Sequence, residues 1–374
     1  MDKKHNNMNR KISGLIAALI ISFNLYAIQF QEADKRDSVV INDGPYIFFV
    51  NDTLKAIRIE NGMADESVLL PGRHSSIELT QGLTAGYQDL TGIFKKKPKY
   101  RENYRRVDSI AVISDVHGHY DTFLKQMISN GITDENLNWK FGKGHLVFLG
   151  DAFDRGDEVT ELLWSLFVLQ KKAERAGGEV HVLIGNHEAM VLGNDLRYIN
   201  DKYKIVEAIS HISYADLFSA NSVLGHWIRS MPVIITINDI LFVHAGISPG
   251  FVSRELKIKD VNKLFSEQVI GKDISTLPEE NELVFLGGND GPIWYRGYFT
   301  DTTFTENKLN SILDYFNKDH IVVGHTPHRE MQLLYNNKIF GIDAGIAYDM
   351  PGNMLIYKNG TFYKASADGK RVQL

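Results

Sequence analysis

Five apolar runs in this chain stop in the same way. "AVISDVHGHYD" leads into Asp115 and His117, and "LVFLGDAFDRGDE" into Asp151, then Asp154 and Arg155. "VLIGNHE" ends on Asn186 and His187, "LFVHAG" on His244 and "IVVGHTPH" on His325. Each run is short, apolar and rich in β-branched residues, as a buried strand is. Polar groups are costly to bury without partners, so a core strand that ends in several of them must deliver them to something. Helical patterns separate several of the runs, including "YDTFLKQMISNG" and "EVTELLWSLFVLQKKAERAGG", the second stopping on Gly177 and Gly178. Strands alternating with helices imply an α/β core. Open α/β sheets bind ligands just outside the carboxyl ends of their strands, so the five ends point at one shared site.

The donor set indicates the ligand. Carboxylate, amide and imidazole without thiolate suit hard or borderline divalent metals such as Mn, Fe, Zn or Co. The chain has no cysteine, which excludes disulfides, thiolate metal sites and a cysteine nucleophile. Asp151 is the best candidate to bridge two ions, and two ions about 3.5–4 Å apart can share a hydroxide and clamp a phosphoryl group. Taken singly, each motif has a bland explanation: a lone strand-end histidine is usually packing, and Gly-Asp is a common turn. All five together and in this order have no such explanation.

That order resembles the metallophosphoesterase signature in its phosphoprotein phosphatase form, in "SDVHG", "GDAFDRG", "GNHE", "HAG" and "GHTPH". "GGNDGPIWYRGYF", the N-terminal segment and the small β region are most similar to the Shewanella-like protein phosphatases. The resemblance runs by motif from Asp108 to about Asp349. It implies a central β-sandwich flanked by helices, with Asp115, His117 and Asp151 holding one ion and Asp151, Asn186, His244 and His325 the other. It also implies that His187 is the general acid oriented by Asp154, and that Arg155 and Arg296 hold the phosphate. Ser114, Phe153 and Ala245 depart from the usual pattern; none removes a ligand or the acid.

The remainder of the chain divides by texture. Residues 1–27 read as a signal peptide: Lys3, Lys4, Arg10 and Lys11 precede the apolar "ISGLIAALIISF", and Ala27 is small. An uncleaved membrane anchor is the alternative, and the expected location is periplasmic or secreted. Residues 38–94 read as a small β region that could cover the site mouth or extend the sheet, 95–107 as a basic linker, and 108–374 as the metallophosphoesterase domain. A formal net charge of −5 over 374 residues gives no general attraction to nucleic acid. His211 and His226 read as structural, and His328 as either a rim residue or a plain surface histidine. Tyr295, Tyr298 and Phe299 beside Arg296 read equally as an aromatic wall or as packing.

The expected activity is a dinuclear-metal phosphomonoesterase using a metal-bridging hydroxide, a secreted phosphoprotein phosphatase with phosphotyrosine as first choice. A diadenosine tetraphosphatase-like nucleotide hydrolase and a broad phosphate scavenger are the alternatives. The expected partner is a phosphorylated protein or small phosphomonoester, with a membrane only if the N-terminal segment stays uncleaved. A catalytically dead metal-binding module is the reading from another class, and the intact His187, Asp154 and Arg155 argue against it.

Overall fold

Alternating patterns at the start of the chain pair into hairpins. β1 (Asp43–Val50), β2 (Thr53–Glu60) and β3 (Met63–Leu69) form a three-stranded antiparallel sheet, and β4 (Ser76–Glu78) pairs with β5 (Thr84–Gly86). The computed structural model describes residues 40–72, 74–95 and 101–374. The expected signal segment, 1–27, lies outside the described residues. Among the described residues, this β region contributes none to the lining of the cleft described below and pairs with neither central sheet. Its inner face packs on helices: Trp164 Nε1 donates to Pro45 O at 3.0 Å, and Phe49 N donates to Asn221 O at 2.9 Å. Asn42–Leu374 form one unit by their contacts.

Two six-stranded sheets make the centre. Their strands are β6 (Asn103–Tyr104), β7 (Ser109–Ile113), β8 (His145–Phe148), β9 (Glu179–Val182), β10 (Ile234–Ile237), β11 (Ile240–Val243), β12 (His320–Val323), β13 (Gln332–Leu334), β14 (Ile339–Gly341), β15 (Asn353–Lys358), β16 (Thr361–Ser366) and β17 (Arg371–Gln373). One sheet runs β17-β16-β15-β7-β8-β9 and the other β13-β14-β12-β11-β10-β6. The segment read as a linker ends inside the second sheet, because β6 pairs in parallel with β10.

The inner strands β7, β8, β10, β11, β12 and β14 are buried on both faces, so their sequences are nearly continuously apolar rather than alternating. Period 2 still sorts them. Ile110, Val112, Val147, Ile235, Phe242, Val322 and Phe340 meet in one core between the sheets. The alternate residues face helices, as Phe148 does against Phe123 of the helix Tyr120–Ser129, with ring centroids 6.4 Å apart. The helix Val159–Ala176 ends where its glycines indicated: Gly177 takes φ 81°, and its N–H bonds back to the last turn. β7, β8 and β9 are mutually parallel, as are β11, β12 and β14. The loops that follow their carboxyl ends carry the polar residues.

Candidate active site

The strand-end loops turn sharply, and the functional residues themselves take the strain. Asp115, His117, Asp151, Asp154, Arg155 and His325 have φ of 52°, 50°, 59°, 71°, 65° and 66°. A side chain in this left-handed region costs about 1–3 kcal/mol and persists only where its surroundings over-determine it. Glu188 supplies much of that constraint. Its Oε2 accepts from Asp151 N at 2.9 Å and Gly185 N at 2.7 Å, and its Oε1 from Ala152 N at 2.7 Å and Phe153 N at 3.4 Å. One buried carboxylate therefore ties the loop after β8 to the loop after β9. Gly185 must be glycine, since a Cβ there would collide with the Asp151 carboxylate.

The same loops fix the imidazoles. His117 Nδ1 donates to Phe153 O at 2.7 Å, and His244 Nδ1 donates to Leu149 O at 2.8 Å. A carbonyl can only accept, so in the neutral ring each Nε2 carries the lone pair that a metal ligand needs. They lie 3.6 Å and 3.3 Å from Asp151 Oδ2, and His187 Nε2 lies 4.0 Å from it. Asn186 Oδ1 is 3.0 Å from His244 Nε2. His325 N bonds both Asp115 oxygens, at 3.1 and 3.0 Å. Ser114, a departure from the family pattern, donates its hydroxyl to Asp115. Two groups of donor atoms come close enough to hold an ion, one from His117, Asp151 and His187 and one from Asp151, His244 and His325.

The electrostatics show what the cluster lacks. Asp115, Asp151, Asp343 and Glu188 are all under 6% exposed. Burial pushes Asp115 up to about 6, and Asp343 rises well above the carboxylate range through burial and the nearby Asp115 charge. Burial pushes His117 down to about 3. Burial also opposes charge on His244, but the Asp151 carboxylate overcomes it and holds that imidazole at about 9. Packed carboxylates that burial pushes upward, set among imidazoles, are the arrangement that a divalent cation stabilises. The residues present therefore fit divalent metal.

Residues 109–329 match the family described as calcineurin-like phosphoesterase. The chain belongs to that family. It is a phosphatase-type hydrolase that acts on phosphoesters, and the family implies divalent metal ions. The cold-active protein-tyrosine phosphatase of a psychrophilic Shewanella species is a solved structure with a TM-score of 0.80 and 36% identity, over 89% of this chain and 99% of that one. Shewanella-like protein phosphatase 1 of Plasmodium berghei is 27% identical over 66% of this chain and 69% of its own length. An uncharacterised protein of Schizosaccharomyces pombe is 28% identical over 67% of this chain and 76% of its own.

Within the calcineurin-like frame, the expected residues fall together. Asp115, His117, Asp151, Arg155, His187, Arg296 and His325 line one cleft. Asn186 and His244 sit beneath it, 2% and 0% exposed. Asp154 is fully buried behind His187, with Oδ2 2.5 Å from His187 Nδ1. Burial alone would lower the His187 pKa, but Asp151 and the bond to Asp154 outweigh it and raise it above the ordinary value.

Three features of the site go beyond the residues expected from the sequence. Asp343 lines the cleft. It follows β14, so "IFGIDAG" is a sixth strand end like the other five, hidden within what reads as a hairpin. Glu188 stood in the open, inside "GNHE". The aromatic surroundings of Arg155 left no signal, since Tyr198 and Tyr348 reach it only through the fold. Their ring centroids lie 5.7 and 5.4 Å from its guanidinium carbon. Tyr295 and Tyr298 are packing instead: both are buried, and the Tyr298 hydroxyl donates to Ile247 O at 2.9 Å. Phe299 lies against His328, centroids 5.0 Å apart.

Proposed function

We propose that the chain is an exported, dinuclear-metal phosphoprotein phosphatase that prefers phosphotyrosine. The observation that carries this reading is the placement of Arg155 beside two aromatic rings at the cleft. Its Nε is buried without a hydrogen-bond partner among the described residues, and Tyr198 and Tyr348 are 45% and 52% exposed. A phosphate on the guanidinium fork would bring a phenyl ring against exposed aromatic faces. The 36% identity to a structure described as a protein-tyrosine phosphatase supports the same choice. The basic, apolar, small-residue pattern of 1–27 supports export.

Asp115, His117 and Asp151 would hold one ion, and Asp151, Asn186, His244 and His325 the other. When bound, two divalent ions neutralise phosphoryl oxygens and make water a competent nucleophile near neutral pH. Arg155 and Arg296 bind and orient the remaining phosphoryl oxygens. His187, with Nδ1 committed to Asp154, presents Nε2 to the leaving oxygen and gives it a proton. Asp154 holds the ring in that orientation and stabilises its charge.

The test is a substrate panel on protein stripped of metal and reloaded with Mn: phosphotyrosine peptide, phosphoserine peptide, diadenosine tetraphosphate and a sugar phosphate. The expected result is a kcat/KM highest for phosphotyrosine peptide. Equal rates on all monoesters would make the protein a general phosphate scavenger. Preference for the dinucleotide would overturn the phosphoprotein assignment.

A further inference from the structure

A second group of metal-ligand side chains sits at the other end of the strands that carry Asp151 and Asn186. It arises from regular strand geometry, with no special turns. Period 2 puts Glu179 and His181 on one face of β9. The parallel register pairs His145 of β8 with Glu179, so His145 projects on that same face. His181 Nε2 and His145 Nδ1 are 2.9 Å apart. One donor atom from each of His145, Glu179 and His181 lies within 4.8 Å of the others. His181 is 6% exposed, while His145 and Glu179 are half-buried, which leaves a way in from solvent. Six residue steps of strand and loop separate His145 from Asp151, at most about 20 Å at strand rise.

We propose that His145, Glu179 and His181 form a second divalent-cation site, separate from the catalytic cleft and suited to a borderline ion such as zinc. Two imidazoles and a carboxylate are a three-ligand zinc set that leaves a fourth position for water. The side chains around it favour this protonation state. Burial keeps both histidines neutral, with Arg101 adding to the effect. The Tyr104 ring stands edge-on to His181 at 4.5 Å and to His145 at 5.5 Å, which limits their rotation. The Tyr104 hydroxyl also faces the Glu179 carboxylate, where an outer partner of a metal-bound carboxylate would stand. Without metal, the facing nitrogens share one proton. With metal, that N–H and its hydrogen bond are given up and the far nitrogen of the same ring is protonated in its place, so both facing nitrogens present lone pairs and the proton count is unchanged.

The test uses the full chain, equilibrated against a fixed free-zinc buffer and analysed for bound zinc per protein. Wild type is compared with Glu179→Gln and His181→Asn. The expected result is one zinc fewer in each variant at the same free zinc, with affinity for that ion at least tenfold weaker and phosphatase rate within twofold of wild type. Equal zinc content in wild type and Glu179→Gln would overturn the proposal. Glu179→Gln is half-buried and nearly isosteric, so it decides the matter even if His181→Asn does not fold. The difference between proteins carries the result, so it is independent of how many ions the catalytic cleft holds and of which substrate it prefers.

Discussion

Two clusters of buried charge, one around Asp151 and one around Asp43, are both built on carboxylates and balance differently. In the second, Lys202 Nζ lies 3.0 Å from Asp43 Oδ1 and 3.7 Å from Glu161 Oε1. Tyr46 donates to Asp43, and Thr160 Oγ1 donates to it at 3.3 Å. An ammonium within the protein answers most of the negative charge. Around Asp151, four buried carboxylates crowd together: burial raises Asp115, Asp343 and Glu188, and Asp151 draws charge onto His187 and His244 rather than onto a lysine. A buried ion pair that closes on itself is structural. One that leaves negative charge over is a place for a cation. The closed cluster also serves the open one: Lys202 Nζ donates to Asp157 O at 2.6 Å, and Asn200 Nδ2 donates to Arg155 O at 2.8 Å, bracing the loop that carries Arg155.

This contrast can be broken most forcefully at Asp151. Asp151→Asn should lose metal and reduce kcat by on the order of 10³, read by elemental analysis beside phosphatase assay. Retention of both metal and rate would mean that the open cluster is not a metal site. His187→Asn should keep its metal and lose about 10²–10⁴ in kcat on alkyl phosphates. Activated aryl phosphates should suffer less, and equal losses on both would remove the general-acid role. Arg155→Lys should retain metal and lower kcat/KM about 10–100-fold, the loss of a charge-assisted bond from a planar fork; unchanged kinetics would show that the phosphate binds elsewhere.

The closed cluster predicts an effect on stability instead. Glu161 is the carboxylate that Lys202 reaches less closely, and burial pushes it up to about 7 against an ordinary 4.5. Its folded pKa is raised, so its contribution is full below pH 4.5 and declines as pH rises through 7. Glu161→Gln should therefore be more stable than wild type at pH 8, by about 1–3 kcal/mol, and match it near pH 4.5. Denaturant melts at the two pH values would show a gain at neither if Lys202 already neutralises Glu161. Tyr348→Ala should give the smallest effect, a KM for phosphotyrosine peptide raised about 2–5-fold, as loss of an exposed cation–π and stacking contact implies. Phosphoserine peptide should be unaffected, and a parallel rise for both peptides would deny Tyr348 any part in substrate choice.

Much of the site is legible in the residues themselves. The order of the five strand ends names the ligand types, because strand ends, glycines and donor atoms are local in sequence. The alternation of apolar runs and helical stretches implies the α/β core for the same reason. Glu188 is visible but looks like one more polar residue of its motif; its role depends on four amides brought to it by two different loops. Asp343 is masked by a segment whose hairpin pattern is genuine in β15 and β16 but begins ten residues after Asp343. The aromatic expectation for Tyr295, Tyr298 and Phe299 rests on adjacency to Arg296, and adjacency does not say which way a ring points.

The chemistry open to this protein is written in its local motifs: the proposed ligands, acid and arginines each stand in a short stretch whose meaning is carried by nearest neighbours. How those groups are balanced and surrounded emerges only when the chain folds. Tyr198 and Tyr348 meet at Arg155, Asp343 joins Asp115, and Lys202 closes on Asp43 across long stretches of chain. Charge balance and ring contact depend on distance in space, which no local pattern records.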